Sequence, residues 1–146
     1  MELFESFKQL PSNLRGAVVA IGSFDGLHLG HEALFQRVHQ IAKQEQCITG
    51  VITFDPHPVK VLAPQLAPPT ILSREDKIQG IAQKGFDYLL MQAFTAQFAE
   101  MLPEDFAIDV LKKALDIRAV VVGYDFSFGK RAAGKAKDLK AWLEPH

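Results

Sequence analysis

The sequence predicts an α/β domain built on a parallel sheet with helices on both faces. Three observations carry this. Four short segments, residues 17–22 (AVVAIG), 48–54 (ITGVITF), 88–92 (YLLMQ) and 119–123 (AVVVG), are almost continuously apolar. Strands that lack polar alternation are strands covered on both faces. Segments with helical spacing lie between them, and an order of strand, helix, strand, helix, strand, helix, strand is that of right-handed crossovers in a parallel sheet.

Each element has its own local reason. A helix is expected from near His31, where Leu34, Val38, Ile41 and Ala42 recur at i, i+4, i+7 and i+8 as one apolar stripe. Residues 73–84 read as a second helix, with Ser73 as N-cap and Asp76 three residues on in the capping-box position. Residues 103–115 read as a third, with Pro103 at its first position and Phe106, Val110, Leu111 and Ala114 as its stripe. Residues 55–69 hold most of the eight prolines and read as loop. Residues 125–135 also read as loop, and 138–143 as a final helical turn or two.

Composition narrows the class. The chain has 146 residues, 48% hydrophobic and 23% charged, enough for one ordered domain with a real core. A net charge of -1 gives no field that would draw the whole molecule to nucleic acid or an anionic membrane. The single cysteine, Cys47, excludes an intrachain disulfide and suits a reducing cytoplasm. Residues 1–10 carry Glu2, Glu5 and Lys8 and do not read as a leader. No apolar run approaches the roughly 18 residues of a membrane span.

Ligands of open α/β sheets bind outside the carboxyl ends of the strands, and three unusual segments sit at those ends. The first, residues 22–31, reads GSFDGLHLGH. Gly22, Gly26 and Gly30 allow close backbone approach to a ligand. The helix beginning near Gly30 offers free N–H groups and its positive dipole end, an anion site. His28 and His31, three apart, can address one point, and donors aimed at developing phosphate charge are what nucleotidyl transfer asks of a protein. A turn with two ordinary histidines is the plain alternative. Asp25 fits a simple Asp-Gly turn.

The second segment, Thr53-Phe54-Asp55-Pro56-His57-Pro58, holds His57 between two prolines in a stiff loop, and Phe54 could stack on a flat ring. The third is VVGYDFSFG at residues 121–129. There Asp125 could order the water shell of a magnesium ion, and Phe126 and Phe128 alternate between core and site, with Phe128 taken toward the ligand. Lys130, Arg131, Lys135, Lys137 and Lys140 follow. They read as a solvated face, or, for Lys130 or Arg131, as a contact to a ligand phosphate. Without interleaved aromatics they do not read as a nucleic-acid patch.

Residues 22–31 resemble the G-x-F-D-x-x-H-x-G-H signature of the nucleotidyltransferase superfamily. Thr53 to Pro58 and residues 121–129 are similar to the T-F-x-P-H-P and V-V-G-x-D-F-x-F-G motifs of the FMN adenylyltransferase module of bacterial bifunctional riboflavin kinase/FAD synthetases. Residues 70–77 and 94–106 resemble further stretches of that module, so the likeness runs from about residue 16 to 137. It implies a Rossmann-like fold and transfer of AMP from MgATP to FMN, giving FAD and pyrophosphate. It also implies that His28 and His31 stabilise phosphate charge, that Gly22, Ser23, Phe24 and Gly30 bind ATP, and that Phe54, Asp55, Pro56, His57, Pro58, Asp125 and Phe128 border the flavin.

Two departures accompany the likeness. No S-S-T-x-I-R phosphate motif follows residue 129, and no riboflavin kinase module is present in the 146 residues. The expectation is therefore one FMN adenylyltransferase-like domain over residues 1–146, lacking its late phosphate-binding segment. Three alternatives stay open: another nucleotidyltransferase with the H-x-G-H motif, a non-catalytic flavin or nucleotide binder, and a truncated fragment.

Overall fold

A computed structural model describes residues 1–22, 29–55, 74–93, 98, 100–101, 103–122, 127–128 and 134–135. For residues 29–31, 55, 74, 103, 127–128 and 134–135 it describes the backbone alone. The strands are β1 (Glu2–Phe4), β2 (Val18–Ile21), β3 (Thr49–Asp55), β4 (Tyr88–Ala93) and β5 (Ala119–Val121). They form one five-stranded sheet of order β1-β4-β3-β2-β5, parallel at every pairing. Helix α1 spans Leu29–Glu45 and α2 spans Arg74–Ala82. Helix α3 opens as an α-turn at Pro103–Asp105 and continues in π-turns through Phe106–Ala114.

The four expected strands form the body of the sheet, and the three expected helices lie between them. From β2 through α1 and α2 the chain steps outward to β3 and β4, then α3 carries it back across to β5 on the other side of β2. Crossovers of constant hand put α1 and α2 on one face and α3 on the other. The two cores show this division. Val18, Ala20, Val51, Leu89 and Met91 pack against Phe35, Val38 and Ala42 of α1 and Ile81 of α2. Val19, Ile21, Ile52, Phe54, Tyr88 and Leu90 pack against Phe106, Ala107, Val110 and Leu111 of α3. Alternate residues of each strand serve opposite faces, which is why the strands read as unbroken apolar runs. Burying each Val, Leu, Ile, Met or Phe among them contributes about 1.5–3 kcal/mol.

Helix ends follow local chemistry. At the end of α1, Gln46 takes a φ of 56°, and the Cys47 N–H donates to the Ala42 carbonyl at 2.9 Å. This is the six-to-one bond of a Schellman cap, with glutamine where glycine is usual. In α3 the buried residues Phe106, Val110, Leu111 and Leu115 are spaced by four and five, and the Leu115 N–H reaches the Val110 carbonyl at 3.0 Å. The i→i+5 bond keeps this spacing on the sheet-facing side.

Two elements correct the sequence reading. Strand β1 was not expected; it pairs with β4 at the edge, Leu3 beside Leu89. Residues 125–135, expected as loop, contain an antiparallel pair, β6 (Ser127–Phe128) and β7 (Gly134–Lys135), with Phe128 opposite Gly134. Strands of two or three residues are too short for a period to register. The Ser73 cap, the 138–143 helical turn and most of the proline-rich loop lie outside the described residues.

Candidate functional site

The order in which the chain adds strands reverses between β2 and β5, and such a switch point is where open α/β sheets bind ligands. Strands β3, β2 and β5 are adjacent and parallel, so they end at one edge of the sheet. All three motif segments leave from that edge: residues 22–31 from β2, 55–58 from β3 and 122–129 from β5.

Gly22 closes β2, its N–H donating to the Ile52 carbonyl at 3.1 Å. Leu29, Gly30 and His31 are the first three residues of α1. Their N–H groups have no carbonyl one turn back within the helix and lie at its positive dipole end. The backbone thus sets a helix N-terminus beside the switch point, the arrangement that binds phosphate. Ser23, Phe24, Asp25 and His28 lie outside the described residues, as does the side chain of His31. Glu32, in the same first turn, is ion-paired with Lys84 beyond the end of α2.

At the end of β3, Phe54 is buried, 9% exposed. Its ring lies 6.2 Å from that of Phe98 and 6.5 Å from that of Phe106. Phe98 and Phe106 meet edge to face at 6.2 Å. Asp55 is the last residue of β3; its side chain and Pro56, His57 and Pro58 lie outside the described residues, as do Asp125, Lys130, Arg131 and the side chain of Phe128.

Sequence reasoning missed two supports of this edge. One is the ring trio, although Phe98 and Phe106 stand in the 94–106 stretch singled out above. The other is Gln92, register partner of Phe54 and 7% exposed. Its Oε1 accepts the Phe7 N–H at 2.8 Å, tying the N-terminal turn to the end of β4. No pattern in the sequence pointed to Gln92. Among the described residues no group of three or more His, Cys, Asp or Glu side chains is arranged to hold a metal ion, and no helix is long and apolar enough to cross a membrane.

Fold and switch point together define a Rossmann-like α/β protein of the nucleotidyltransferase type. Residues 10–146 match the family model of FAD synthetase, and the chain belongs to that family. It is 41% identical over 128 residues to a bifunctional riboflavin kinase/FMN adenylyltransferase of Listeria monocytogenes, covering 87% of this chain and 40% of that protein. It is 36% identical over 135 residues to the protein of the same name from Buchnera aphidicola, covering 92% and 42%. The chain therefore spans about two fifths of the length of these relatives. A crystal structure named as that of a macrolide-efflux protein from Streptococcus pneumoniae matches with a TM-score of 0.81 and 26% identity, over 97% of this chain and 46% of that one.

Proposed function

We propose that this chain is an FMN adenylyltransferase: it binds MgATP and FMN and transfers AMP to the FMN phosphate, releasing pyrophosphate and forming FAD. The observation that carries the reading is the match of residues 10–146 to FAD synthetase. The placement of Leu29, Gly30 and His31 at the first turn of α1, beside the switch point, supports it.

An FMN phosphate oxygen attacks the α-phosphorus of ATP, a P–O bond forms, and the bond to the β-phosphate oxygen breaks with pyrophosphate leaving. The acceptor is already a phosphate, so no protein nucleophile is required. The protein's part is to hold the two substrates in line and meet the charge that builds on the α-phosphate and the leaving group. In this reading His28 and His31 donate to that charge together with the N–H groups of the α1 first turn. Gly22, Ser23, Phe24 and Gly30 let the triphosphate approach the backbone. A magnesium ion accompanying ATP would offset charge on its phosphates, and in this reading Asp125 would help to hold it through its water shell.

The flavin is assigned to the ends of β3 and β5. In this reading Asp55, Pro56, His57, Pro58 and Phe128 border it. Small-molecule substrates and a free thiol at Cys47 fit a cytoplasmic enzyme. The test is incubation of the purified chain with MgATP and FMN and chromatography for FAD. FAD that disappears in His28→Ala supports the proposal. Binding of FMN and ATP with no FAD would favour a non-catalytic nucleotide and flavin binder.

A further inference from the structure

We infer that residues 1–15 form a strap that opens and closes as one unit about Gly16 while the rest of the domain stays folded. Burial changes abruptly at this point. None of residues 1–16 is buried, and residues 17–21 all are. Gly16 takes a φ of 84°, with no described atom within 4 Å of where a Cβ would stand. Glycine adopts that conformation freely, and without packing around it rotation there meets little resistance. The strap also holds itself together. The Glu5 N–H donates to Gln9 Oε1 at 2.9 Å, the Gln9 N–H to the Ser6 carbonyl at 3.0 Å, and the Leu14 N–H to the Pro11 carbonyl at 3.1 Å. These bonds lie within the strap, so its two 3₁₀ turns, Phe7–Gln9 and Ser12–Leu14, travel with it.

The strap is tied to the body along one edge. β1 pairs with β4 over three residues, and the Glu2 N–H donates to the Asp87 carbonyl at 3.1 Å. Further on, the Ala93 N–H donates to the Glu5 carbonyl at 3.0 Å and the Phe7 N–H to Gln92 Oε1 at 2.8 Å. At the hinge end the exposed Arg15 guanidinium donates to the Lys113 carbonyl at 2.9 Å. Between these ties Phe4, Phe7, Leu10 and Leu14 lean, only partly buried, on the α3-face core. That core is built from the sheet and α3, with Val19, Ile21, Ile52, Val110 and Leu111 buried between them, so its central contacts outlast release of the strap. Segments with few buried apolar contacts and surface hydrogen bonds open below the free energy of global unfolding. Opening would bare one flank of the core and free the end of β4, the strand beside β3.

The test is residue-resolved amide hydrogen exchange on the full chain, in water and in low urea, under conditions where exchange follows the opening equilibrium. The reporters are the amides of Glu2, Phe7 and Ala93, the last a residue of the body whose bond goes to the strap. The amides of β2 serve as the global reference. The three reporters should share one opening constant, at least about tenfold larger than that of β2, with a smaller urea dependence. Reporters that open with β2, or that each follow a different opening constant, would overturn the inference. A substitution on the opposite face separates the two openings. Ile81, fully buried beneath α1 and α2, keeps its contacts whether the strap is open or closed. Ile81→Val should therefore speed exchange in β2 about fivefold and leave the three reporters within about twofold. Equal acceleration of both sets would show that the strap opens only with the whole fold and would overturn the inference. If Ile81→Val does not fold, the two urea dependences of the wild-type chain decide the matter alone. The outcome is independent of whether the chain makes FAD.

Discussion

The ring of Tyr88 lies against the backbone of Gly50, its register partner across β3 and β4. A Cβ at residue 50 would stand 2.5 Å from Tyr88 Cζ. Tyr88 is fully buried, and its ring also meets Phe4 of β1 edge to face at 6.3 Å. The glycine that interrupts the apolar run of β3 is thus the floor on which a large side chain of β4 rests.

Gly50→Ala should therefore destabilise the fold. Overpacking of a filled core costs about 1–3 kcal/mol, read as a lowered urea midpoint. In a Tyr88→Leu background the same substitution should cost less, because the clashing ring atoms are gone. Equal costs in the two backgrounds would show that Gly50 is required for some other reason.

Tyr88 has a second consequence. Among the described residues its buried hydroxyl has no hydrogen-bond partner, and burial pushes its ionisation well above the ordinary tyrosine range. Removing an unsatisfied buried group is neutral or favourable, so Tyr88→Phe should match or exceed wild-type stability by up to about 1 kcal/mol near pH 7. The folded state keeps this proton where the unfolded chain has lost it. The stability so held is complete below the unfolded value of about 10 and is lost as pH rises above it. Wild type should lose more stability than Tyr88→Phe between about pH 9 and pH 11, by up to about 1.4 kcal/mol per pH unit. Parallel losses in urea melts at the two pH values would refute this.

His28→Ala and His31→Ala should each lower the rate of FAD formation by about 100-fold or more, the typical cost of one lost transition-state donor. Melting temperatures should change little, since neither substitution empties a described core position. Steady-state rates close to wild type in both variants would remove the two histidines from the mechanism.

Gln46 closes α1 with a φ of 56°. A side chain in that conformation costs roughly 1–2 kcal/mol relative to the right-handed region, and glycine is free of it. Gln46→Gly should keep the Schellman cap and raise stability by a few tenths to about 1 kcal/mol after its added unfolded-state entropy is set against the relief. A drop in the denaturation midpoint would show that the Gln46 side chain contributes more than the strain it carries.

Much of this architecture was legible before folding. The central strands and α1 follow from residue patterns a few residues long, and so do the motifs at 22–31, 53–58 and 121–129. Their placement at strand ends needed only the alternation of strand and helix. Other features were hidden because they join distant residues. Strand β1 is three residues long and has meaning only beside β4. Phe35, now fully buried under the sheet, stands next to Leu34 and was not in the expected stripe. Phe54 reads the same from sequence whether its ring meets a ligand or the core. Packing by α3 and Phe98 puts it in the core.

The sequence by itself determined the class of fold, the family motifs and the strand ends from which they leave, because apolar period, glycine and proline act over a turn or a strand. Only the tertiary structure decided the order β1-β4-β3-β2-β5, the switch point that gathers the three segments at one edge, and the pairing of Gly50 with Tyr88 and Phe54 with Phe98. Those are choices among partners 38 and 44 residues apart along the chain. Burial settles them, since each ring can fill only the space that the other elements leave.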